Sequence, residues 1–272
     1  MDFHNKTVWI TGASSGLGEA MAYAWSRQGA KLILSSRKRD ELERVKKQCQ
    51  ALGGEAAVEP LDLSQPEALQ DIAAQVLKSH GPVDYLVNNG GVAQRSSAVD
   101  TRLEIEQAIM QINFMGAVAL TKAVLPDMIE RKSGHIVVIS SVMGKFAAPN
   151  CSTYVASKHA LQGYFDTVRS EVDRFGVNVT LVCPGFVRTN VSVNAFKADG
   201  TPHRKMDRGQ RRGMAPEVCA RKILKAVYRR REEITIGGPE IAGVYLKRWF
   251  PWLVSRIIRR ITRPGARDAR VS

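Results

Sequence analysis

The chain has 272 residues, of which 44% are hydrophobic and 24% are charged. This length and composition suit one large globular domain or two small ones, and they exclude collagen-like, disordered and disulfide-scaffold proteins. The net charge of +14 is unevenly placed, since residues 1–196 hold 20 Lys/Arg against 19 Asp/Glu and the rest hold 20 against 7. The basic C-terminal quarter indicates an acidic partner, such as a membrane surface, a nucleic acid or a phosphorylated substrate.

The four cysteines are widely spaced and form no CxxC pair. This usage argues against a zinc site and a disulfide framework, and it fits a reducing compartment. The opening residues MDFHNKTVWITGAS lead directly into an apolar run, without the basic and apolar regions of a signal peptide. We therefore expect a cytoplasmic protein that has no metal site.

Short apolar runs rich in β-branched residues alternate along the chain with longer periodic stretches. The short runs show little polar alternation, which is typical of strands buried on both faces of a sheet. The predicted strands are Lys6–Thr11, Lys31–Ser35, Ala56–Glu59, Val83–Asn88, His135–Ser140, Val177–Cys183 and Glu233–Ile236.

The stretches between these strands have helical features, with apolar residues three or four positions apart or a proline near the first turn. The predicted helices are Arg39–Leu52, Gln65–Ser79, Asn113–Arg131, Thr153–Phe175 and Pro216–Arg231, in addition to one after the first strand. Strands that alternate with helices predict an α/β fold with a doubly wound parallel sheet of about seven strands.

The regular pattern loosens after Pro184 and Gly185. Residues 186–213 have no periodicity and are rich in polar and basic residues, before the last helix and strand restore the pattern. We predict one domain over residues 1–240 and a basic amphipathic extension over residues 241–272.

A glycine-rich stretch, Thr11-Gly12-Ala13-Ser14-Ser15-Gly16-Leu17-Gly18, separates the first strand from the first helix. Glycines at such a turn let the backbone approach a pyrophosphate at the positive end of a helix. The alternative is a tight strand-to-helix turn that simply needs small residues. Its place directly after a buried strand favours the phosphate-binding interpretation.

Four motifs in order resemble the short-chain dehydrogenase/reductase family across residues 6–190. The stretch above matches the family's TGxxxGxG pattern in full. The other three motifs are Asn88-Asn89-Gly90-Gly91 where the family usually has NNAG, the YxxxK pair Tyr154 and Lys158, and the step Pro184-Gly185. Gly90 replaces the usual alanine, which we expect to add flexibility without abolishing the turn. The resemblance implies a Rossmann-like fold and an NAD(P)-dependent oxidoreductase.

Cofactor preference can be read at the end of the second strand, where Ser36 and Arg37 follow and no acid occurs before Asp40. A carboxylate there would accept bonds from the NAD ribose and repel a 2′-phosphate, whereas a guanidinium can clamp that phosphate. By resemblance, Ser36 takes the acidic position and Arg37 the phosphate-binding one, so NADP(H) is favoured over NAD(H). The alternative is an ordinary solvated helix start.

The resemblance implies the remaining cofactor contacts. Asp62 and Leu63 would contact the adenine, the turn at residues 89–91 the ribose, and Thr189 the carboxamide. The complete predicted cofactor set is Gly12, Ser14, Ser15, Gly16, Leu17, Gly18, Ser36, Arg37, Asp62, Leu63, Asn89, Gly90, Gly91, Tyr154, Lys158, Pro184, Gly185, Val187 and Thr189.

Tyr154 and Lys158 are spaced i, i+4, so a helix projects both side chains from one face. We expect the ammonium to lower the pKa of the phenol toward the working range. By resemblance, Ser141 assists Tyr154 and Asn113 holds a water of the proton relay. Ser140 is the alternative serine, as a strand-end or supporting residue, and Asn113 could instead satisfy backbone groups at a helix bend.

The resemblance further implies that residues 186–213 form a lid over the substrate. The segment mixes apolar residues with cations, which suggests a hydrophobic substrate with an anionic group, or a mobile lid with solvated charges. The apolar members are Phe186, Val187, Val191, Val193, Phe196 and Met206; the cations are Lys197, Arg204, Lys205, Arg208, Arg211 and Arg212.

The extension contains IAGVYLKRWFPWLVSRIIRRI at residues 241–261. Charges and a proline interrupt it too often for a membrane-spanning helix. Aromatic and aliphatic residues beside arginines suit a peripheral contact with anionic lipid over residues 241–263. Packing in a homodimer or homotetramer and folding onto the body are the alternatives. Nucleic-acid binding is disfavoured because the aromatics cluster with aliphatics rather than alternating with cations.

Two functions follow from these observations. The first is an NADPH-dependent oxidoreductase that reduces a carbonyl, or oxidises the matching secondary alcohol, on a hydrophobic or lipid-like substrate. The second is a non-catalytic NADPH-binding protein that engages an acidic partner or membrane through its basic tail. The intact set of Ser141, Tyr154 and Lys158 favours the first.

Overall fold

The computed structural model describes residues 1–262 of the chain. Its centre is a parallel sheet of seven strands in the order β3-β2-β1-β4-β5-β6-β7. The strands are β1 (Thr7–Thr11), β2 (Lys31–Ser35), β3 (Glu55–Val58), β4 (Tyr85–Asn88), β5 (Gly134–Ile139), β6 (Val177–Pro184) and β7 (Glu233–Ile236). The predicted doubly wound α/β fold is confirmed, and the predicted strands agree with these bounds to within two residues.

Helices cover both faces of the sheet. They are α1 (Gly16–Ser26), α2 (Arg39–Ala51), α3 (Pro66–His80), α4 (Leu103–Met110), α5 (Gly116–Glu130), α6 (Ser152–Val172), α7 (Arg208–Arg211), α8 (Pro216–Tyr228), α9 (Ala242–Trp249) and α10 (Pro251–Thr262). Helices α1, α2 and α8 contribute to one hydrophobic core, and α3, α5 and α6 contribute to the other. Each layer therefore shields one face of the sheet from water.

The buried strands supply both cores because successive side chains point to opposite faces. In β1, Val8 and Ile10 lie in one core and Trp9 lies in the other. Strands β1 and β4 are neighbours, although the chain runs through β2 and β3 between them. This reversal of strand order opens a crevice at the carboxyl ends of the two strands, where such folds bind ligands.

The helix predicted at Asn113–Arg131 begins too late. Helix α4 starts at Leu103 and continues through a π-helical turn, Gln111–Met115, into α5. The sequence LEIEQAIM consists of strong helix formers, which the motif-based reading overlooked. By length and composition the run Leu103–Glu130 could also cross a membrane, but 44% of its most apolar window is buried inside the fold. The apolar composition of this run therefore also suits a helix that packs in the core of the fold.

The secondary structure of the C-terminal quarter is more detailed than the sequence predicted. Residues 186–213 are largely irregular, as expected, but include the short helix α7. The tail is two helices rather than one segment, with the break at Phe250 and Pro251, because proline cannot continue a helix. Arg263 and the rest of the predicted extension to residue 272 lie outside the described residues.

Candidate active site

The glycine-rich loop lies at the crevice between β1 and β4. Gly12 and Gly16 have φ angles of +65° and +60°, a region that favours glycine. A Cβ on Gly12 would lie 2.8 Å from the Cα of Gly90, and one on Gly18 would overlap the carbonyl oxygen of Gly12. Ser15 precedes α1 in an extended conformation and gives it no side-chain cap. The start of α1 therefore fits the pyrophosphate of a dinucleotide, whose charge its backbone N–H groups would bind.

Thr11 and Asn89 join this loop to the end of β4. The Thr11 hydroxyl accepts the backbone N–H groups of Asn89 and Gly90, each at 3.0 Å, and donates to the Val87 carbonyl at 3.2 Å. The Asn89 amide donates to the carbonyls of Thr11 at 2.9 Å and Gly12 at 3.3 Å. These bonds hold the two sides of the crevice at a fixed separation.

The far side of the loop faces the segment after β6. A Cβ on Gly16 would lie 3.2 Å from the Cβ of Thr189. Thr189, the predicted carboxamide-binding residue, therefore adjoins the glycine-rich loop of residues 11–18, which we call the glycine cradle. The backbone N–H of Gly185 donates to the Ile236 carbonyl at 2.7 Å, and a Glu240 oxygen accepts the N–H of Phe186 at 3.0 Å. Strand β7 and the residues after it therefore fix the start of the predicted lid.

Tyr154, Ser141 and Lys158 form one cluster at the ends of β5 and β6. Tyr154 lies in the first turn of α6, and its side chain lies near that of Ser141, which follows β5. The Ser141 hydroxyl accepts the Met143 N–H at 3.1 Å and donates to the Pro184 carbonyl at 3.4 Å. The Lys158 Nζ lies 5.8 Å from the centroid of the Tyr154 ring and donates to the Ile139 carbonyl at 2.9 Å. Ser140 instead donates to the backbone carbonyl of Lys158 at 3.1 Å, so its side chain supports α6.

The expected lowering of the Tyr154 pKa by Lys158 is wrong for this structure. Burial raises the pKa of the Tyr154 phenol, while the nearby Ser141 hydroxyl and the charge of Arg95 act in the opposite direction. Burial also lowers the pKa of Lys158 to about 8. The ammonium lies over the ring, 5.8 Å from its centroid, and burial outweighs the contributions of Ser141 and Arg95 that favour a phenolate. The phenol is therefore protonated at neutral pH.

Asn113 is buried at the centre of the π-helical turn. Its side-chain oxygen accepts the Val92 N–H at 2.7 Å, and its amide donates to the Val92 carbonyl at 2.9 Å and to the Ser157 hydroxyl at 3.0 Å. A Cβ on Gly91 would lie 3.0 Å from that oxygen and 3.8 Å from the Lys158 Nζ. Asn113 therefore satisfies backbone groups, the alternative considered above, and also lies beside the ammonium.

The predicted cofactor-selecting residues lie at the rim. Ser36 accepts the N–H of Lys38 at 3.1 Å, and Arg37 is exposed to solvent. Asp62 accepts the N–H of Ser64 at 2.9 Å in the turn after β3. Within residues 1–262, no group of three or more His, Cys, Asp and Glu residues could hold a metal ion.

A family model described as short chain dehydrogenase matches residues 6–200 of the chain. The chain belongs to the short-chain dehydrogenase/reductase family. Members of this family are NAD(P)-dependent oxidoreductases, and this chain is one of them. The glycine cradle and the Ser141–Tyr154–Lys158 cluster are thus observed in a member of the family from which their roles were inferred.

Similar proteins extend the comparison over most of the chain. It is 42% identical over 264 residues to dehydrogenase/reductase SDR family member 7B of Danio rerio, covering 94% of this chain and 85% of the relative. It is 42% identical over 247 residues to an SDR family protein 7-like of Drosophila melanogaster, covering 89% and 76%.

Solved structures with the same fold hold both kinds of nicotinamide cofactor. A short-chain dehydrogenase/reductase from Burkholderia phymatum in complex with NAD has a TM-score of 0.82 and 26% identity, with coverage of 93% of this chain and 96% of that one. A metagenomic short-chain oxidoreductase in complex with NADP has a TM-score of 0.72 and 29% identity, with coverage of 86% and 97%.

Several residues that support the site in this short-chain dehydrogenase were not predicted from the sequence. Thr11 begins the glycine-rich motif, and no role was predicted for it, although its hydroxyl joins β1 to β4. Ser157, between the paired Tyr154 and Lys158, binds Asn113. Gln94 has no motif, yet its side chain contacts the start of α6. Only contacts between distant segments could have found the last two.

Gly90 has a packing reason that the sequence could not supply. A Cβ at this position would overlap Cδ1 of Leu63, which follows β3. The glycine therefore makes room for a neighbouring side chain, in addition to the flexibility expected from the sequence.

Proposed function

We propose that this chain is an NADPH-dependent oxidoreductase that reduces a carbonyl group on a hydrophobic or lipid-like substrate, or oxidises the matching secondary alcohol. The observation that carries the proposal is that the Tyr154 and Ser141 side chains lie near each other at the same sheet edge as the glycine cradle. A proton donor and an oxyanion-stabilising hydroxyl beside a dinucleotide site are the groups that carbonyl reduction needs.

When bound, the cofactor supplies a hydride to the carbonyl carbon. Tyr154 donates its proton to the carbonyl oxygen, and its raised pKa keeps that proton in place at neutral pH. Ser141 binds the same oxygen and stabilises the charge that develops there. Lys158 would hold the nicotinamide ribose, and Asn113 beside it would order a water that replaces the proton. Oxidation uses the same groups in reverse.

The proposed preference for NADPH rests on charge at the end of β2. Arg37, Lys38 and Arg39 are exposed there, and a guanidinium is the group that pairs best with a 2′-phosphate. Ser36 takes the place where an acid would favour NAD. Replacing Arg37 with Ser should therefore weaken NADPH binding and leave NADH binding nearly unchanged.

The substrate class is inferred from the segment over the site. Phe186 is 42% exposed at the start of the predicted lid, with Val187 buried behind it. Phe186 follows Pro184 by two residues, and the Pro184 carbonyl lies 3.4 Å from the Ser141 hydroxyl. An exposed aromatic residue this near in the chain to the proposed reaction centre favours an apolar substrate.

The test measures NADPH and NADH oxidation against aldehydes, ketones, steroids and acyl-chain ketones. Because it keeps the ring and removes the phenolic proton, Tyr154→Phe should lower turnover at least about 100-fold, the scale of general acid catalysis. Arg37→Ser should raise the KM for NADPH about tenfold, with Arg27→Ser as an exposed control far from the cradle. Tight NADPH binding without turnover on any substrate would favour the non-catalytic binding protein instead.

We also propose that the two C-terminal helices contact an anionic membrane surface. Trp249 is 72% exposed and Trp252 is 62% exposed, on either side of the break between α9 and α10. A surface cavity of about 580 Å³ is lined by Trp252, Arg256, Arg259 and Arg260, and by none of the predicted catalytic residues. Indole rings suit the headgroup boundary, and guanidinium groups suit anionic phosphates. The protein would then be cytoplasmic and peripheral at the bilayer.

Vesicle sedimentation tests this contact. The chain should bind phosphatidylcholine vesicles that contain about 30% phosphatidylserine, and it should bind pure phosphatidylcholine vesicles weakly. The double change Trp249→Ser and Trp252→Ser should reduce binding about tenfold, while Val99→Ser, at an apolar residue outside the tail that is 91% exposed, should not. Equal binding to both vesicles would contradict the proposal. If the protein is a dimer and the tail variants are monomers, the same surface would instead bind a second copy of the chain.

A further inference from the structure

A buried glutamine reaches the helix that carries Tyr154. Gln94 lies between β4 and α4 and is 0% exposed. Its side-chain oxygen accepts the backbone N–H of Thr153 at 2.9 Å and that of Tyr154 at 3.2 Å. These are the second and third residues of α6, so a residue sixty positions away in sequence caps the helix.

This cap replaces one that the local sequence does not provide. The first N–H groups of a helix have no partner within the helix, and a preceding Ser, Thr, Asp or Asn usually binds them. Cys151 precedes α6 and makes no side-chain cap bond. The Gln94 oxygen supplies that acceptor, and it fixes the first turn of α6, from which the Tyr154 ring projects.

The orientation of the glutamine is determined by its own partners. Its amide nitrogen donates to the Thr101 hydroxyl at 3.1 Å and to the Ser96 hydroxyl at 3.3 Å. Thr101 in turn donates to the Ser97 carbonyl at 2.6 Å, so its oxygen is free to accept. Only one orientation of the amide places its oxygen toward α6 and its nitrogen toward these hydroxyls.

The residues on either side of Gln94 are bound to the predicted lid. The Phe196 N–H donates to the Ala93 carbonyl at 2.9 Å, and the Arg95 N–H donates to the Phe196 carbonyl at 2.8 Å. The Arg95 guanidinium also pairs with Asp207 of the same segment at 2.5 and 2.8 Å. The loop that caps α6 is therefore held from the other side by residues 186–213.

We propose that Gln94 is a positioning residue for the reaction, which holds the Tyr154 phenol in register with Ser141 and links the first turn of α6 to the lid. This inference rests on the proposed role of Tyr154 as proton donor. Since a displacement of a reacting group by about 1 Å can cost about 100-fold in rate, a cap that fixes the backbone of Tyr154 acts on turnover rather than on cofactor binding.

Two substitutions of similar size separate the cap from simple packing. Gln94→Met keeps the length of the side chain and removes both polar atoms, so we expect kcat to fall about 30-fold or more while the Kd for NADPH stays within twofold. Gln94→Glu keeps an oxygen acceptor for the Thr153 and Tyr154 N–H groups but places a second oxygen against the Thr101 and Ser96 hydroxyls, so we expect a kcat between those of the wild type and Gln94→Met. Hydrogen exchange should show faster exchange of those two amides in Gln94→Met alone.

The outcomes that overturn the inference are specific. A Gln94→Met protein that keeps wild-type kcat shows that the acceptor does not position Tyr154. If Gln94→Met fails to fold, Thr101→Val removes the hydroxyl that orients the amide, and an unchanged kcat there contradicts the proposal. Wild-type turnover in Tyr154→Phe would instead overturn the proposed function, while the exchange of the two amides would still report the cap.

Discussion

Lys158 is a cation held in the interior, with 5% of its surface exposed. Burial lowers its pKa from 10.5 to about 8, so the folded protein binds this proton less tightly than the unfolded chain does. The difference is about 2.5 pH units, which corresponds to a cost of about 3 kcal/mol at neutral pH. A buried ammonium with such a cost is typical of a functional site, where ligand contacts compensate for lost hydration.

We expect Lys158→Met to stabilise the cofactor-free protein and abolish turnover. Replacing the charge with an apolar side chain of similar length should raise the free energy of unfolding at pH 7 by about 1–3 kcal/mol. This stability difference between the variant and the wild type should shrink between pH 8 and pH 10. In that range the folded wild-type protein loses the Lys158 proton and the unfolded chain keeps it, so the wild type becomes more stable as the pH rises. Urea unfolding measures it, with the exposed Lys122→Met as control. A destabilised variant would show that the ammonium is well compensated by its partners.

At the scale of elements, the start of α1 needs small residues and the middle of α6 does not. Gly18 is buried in the first turn of α1, where a Cβ would overlap the backbone oxygen of Gly12. Gly163 lies in α6, and a Cβ there would meet nothing within 4 Å. The two glycines are therefore present for different physical reasons, although both are helical.

Alanine at these two positions should have opposite effects. Gly18→Ala forces the glycine-rich loop to move, so we expect a loss of about 1–3 kcal/mol in stability and weaker NADPH binding. Gly163→Ala should raise stability by about 0.5–1 kcal/mol, because alanine loses less backbone entropy in a helix. Thermal unfolding and NADPH fluorescence titration check both. Normal NADPH affinity in Gly18→Ala would show that the cradle tolerates a side chain there.

At the scale of the whole molecule, the sheet contains a histidine that folding keeps neutral. His135 of β5 is 4% exposed, and its Nε2 lies 2.8 Å from the Thr180 hydroxyl of β6. Because Thr180 donates to the Arg231 carbonyl at 2.6 Å, the histidine donates from Nε2. Burial, with a further contribution from Arg230, lowers the pKa of His135 to about 3.

Stability should fall as the pH drops below the ordinary histidine pKa of 6.5. The unfolded chain gains a proton on His135 in that range and the folded protein does not. Between pH 7.5 and pH 5 this group should account for a loss of about 2 kcal/mol. His135→Gln, which keeps an N–H donor for Thr180, should remove that part of the pH dependence in urea unfolding. Parallel curves for both proteins would mean that His135 protonates in the folded state.

The sequence by itself determined the sheet and the order of its strands along the chain, and it contains the motifs from which the reacting groups are proposed. Buried parallel strands are continuous apolar runs, and the glycine-rich loop, Tyr154 and Lys158 are local patterns that need no distant partner to be recognised. The motif-based reading missed α4, whose residues are good helix formers but carry no motif. These features depend on residues that are close together in the chain.

Only the tertiary structure decided how the site is supported and how its groups titrate. Gln94 caps α6 from sixty residues away, Thr11 joins β1 to β4, and Leu63 requires Gly90 to be small. The pKa of Tyr154 rises because burial outweighs the opposing contributions of Ser141 and Arg95, a balance that the i, i+4 spacing could not reveal. Desolvation and long-range hydrogen bonds depend on which distant segments meet, and a linear pattern does not contain that information.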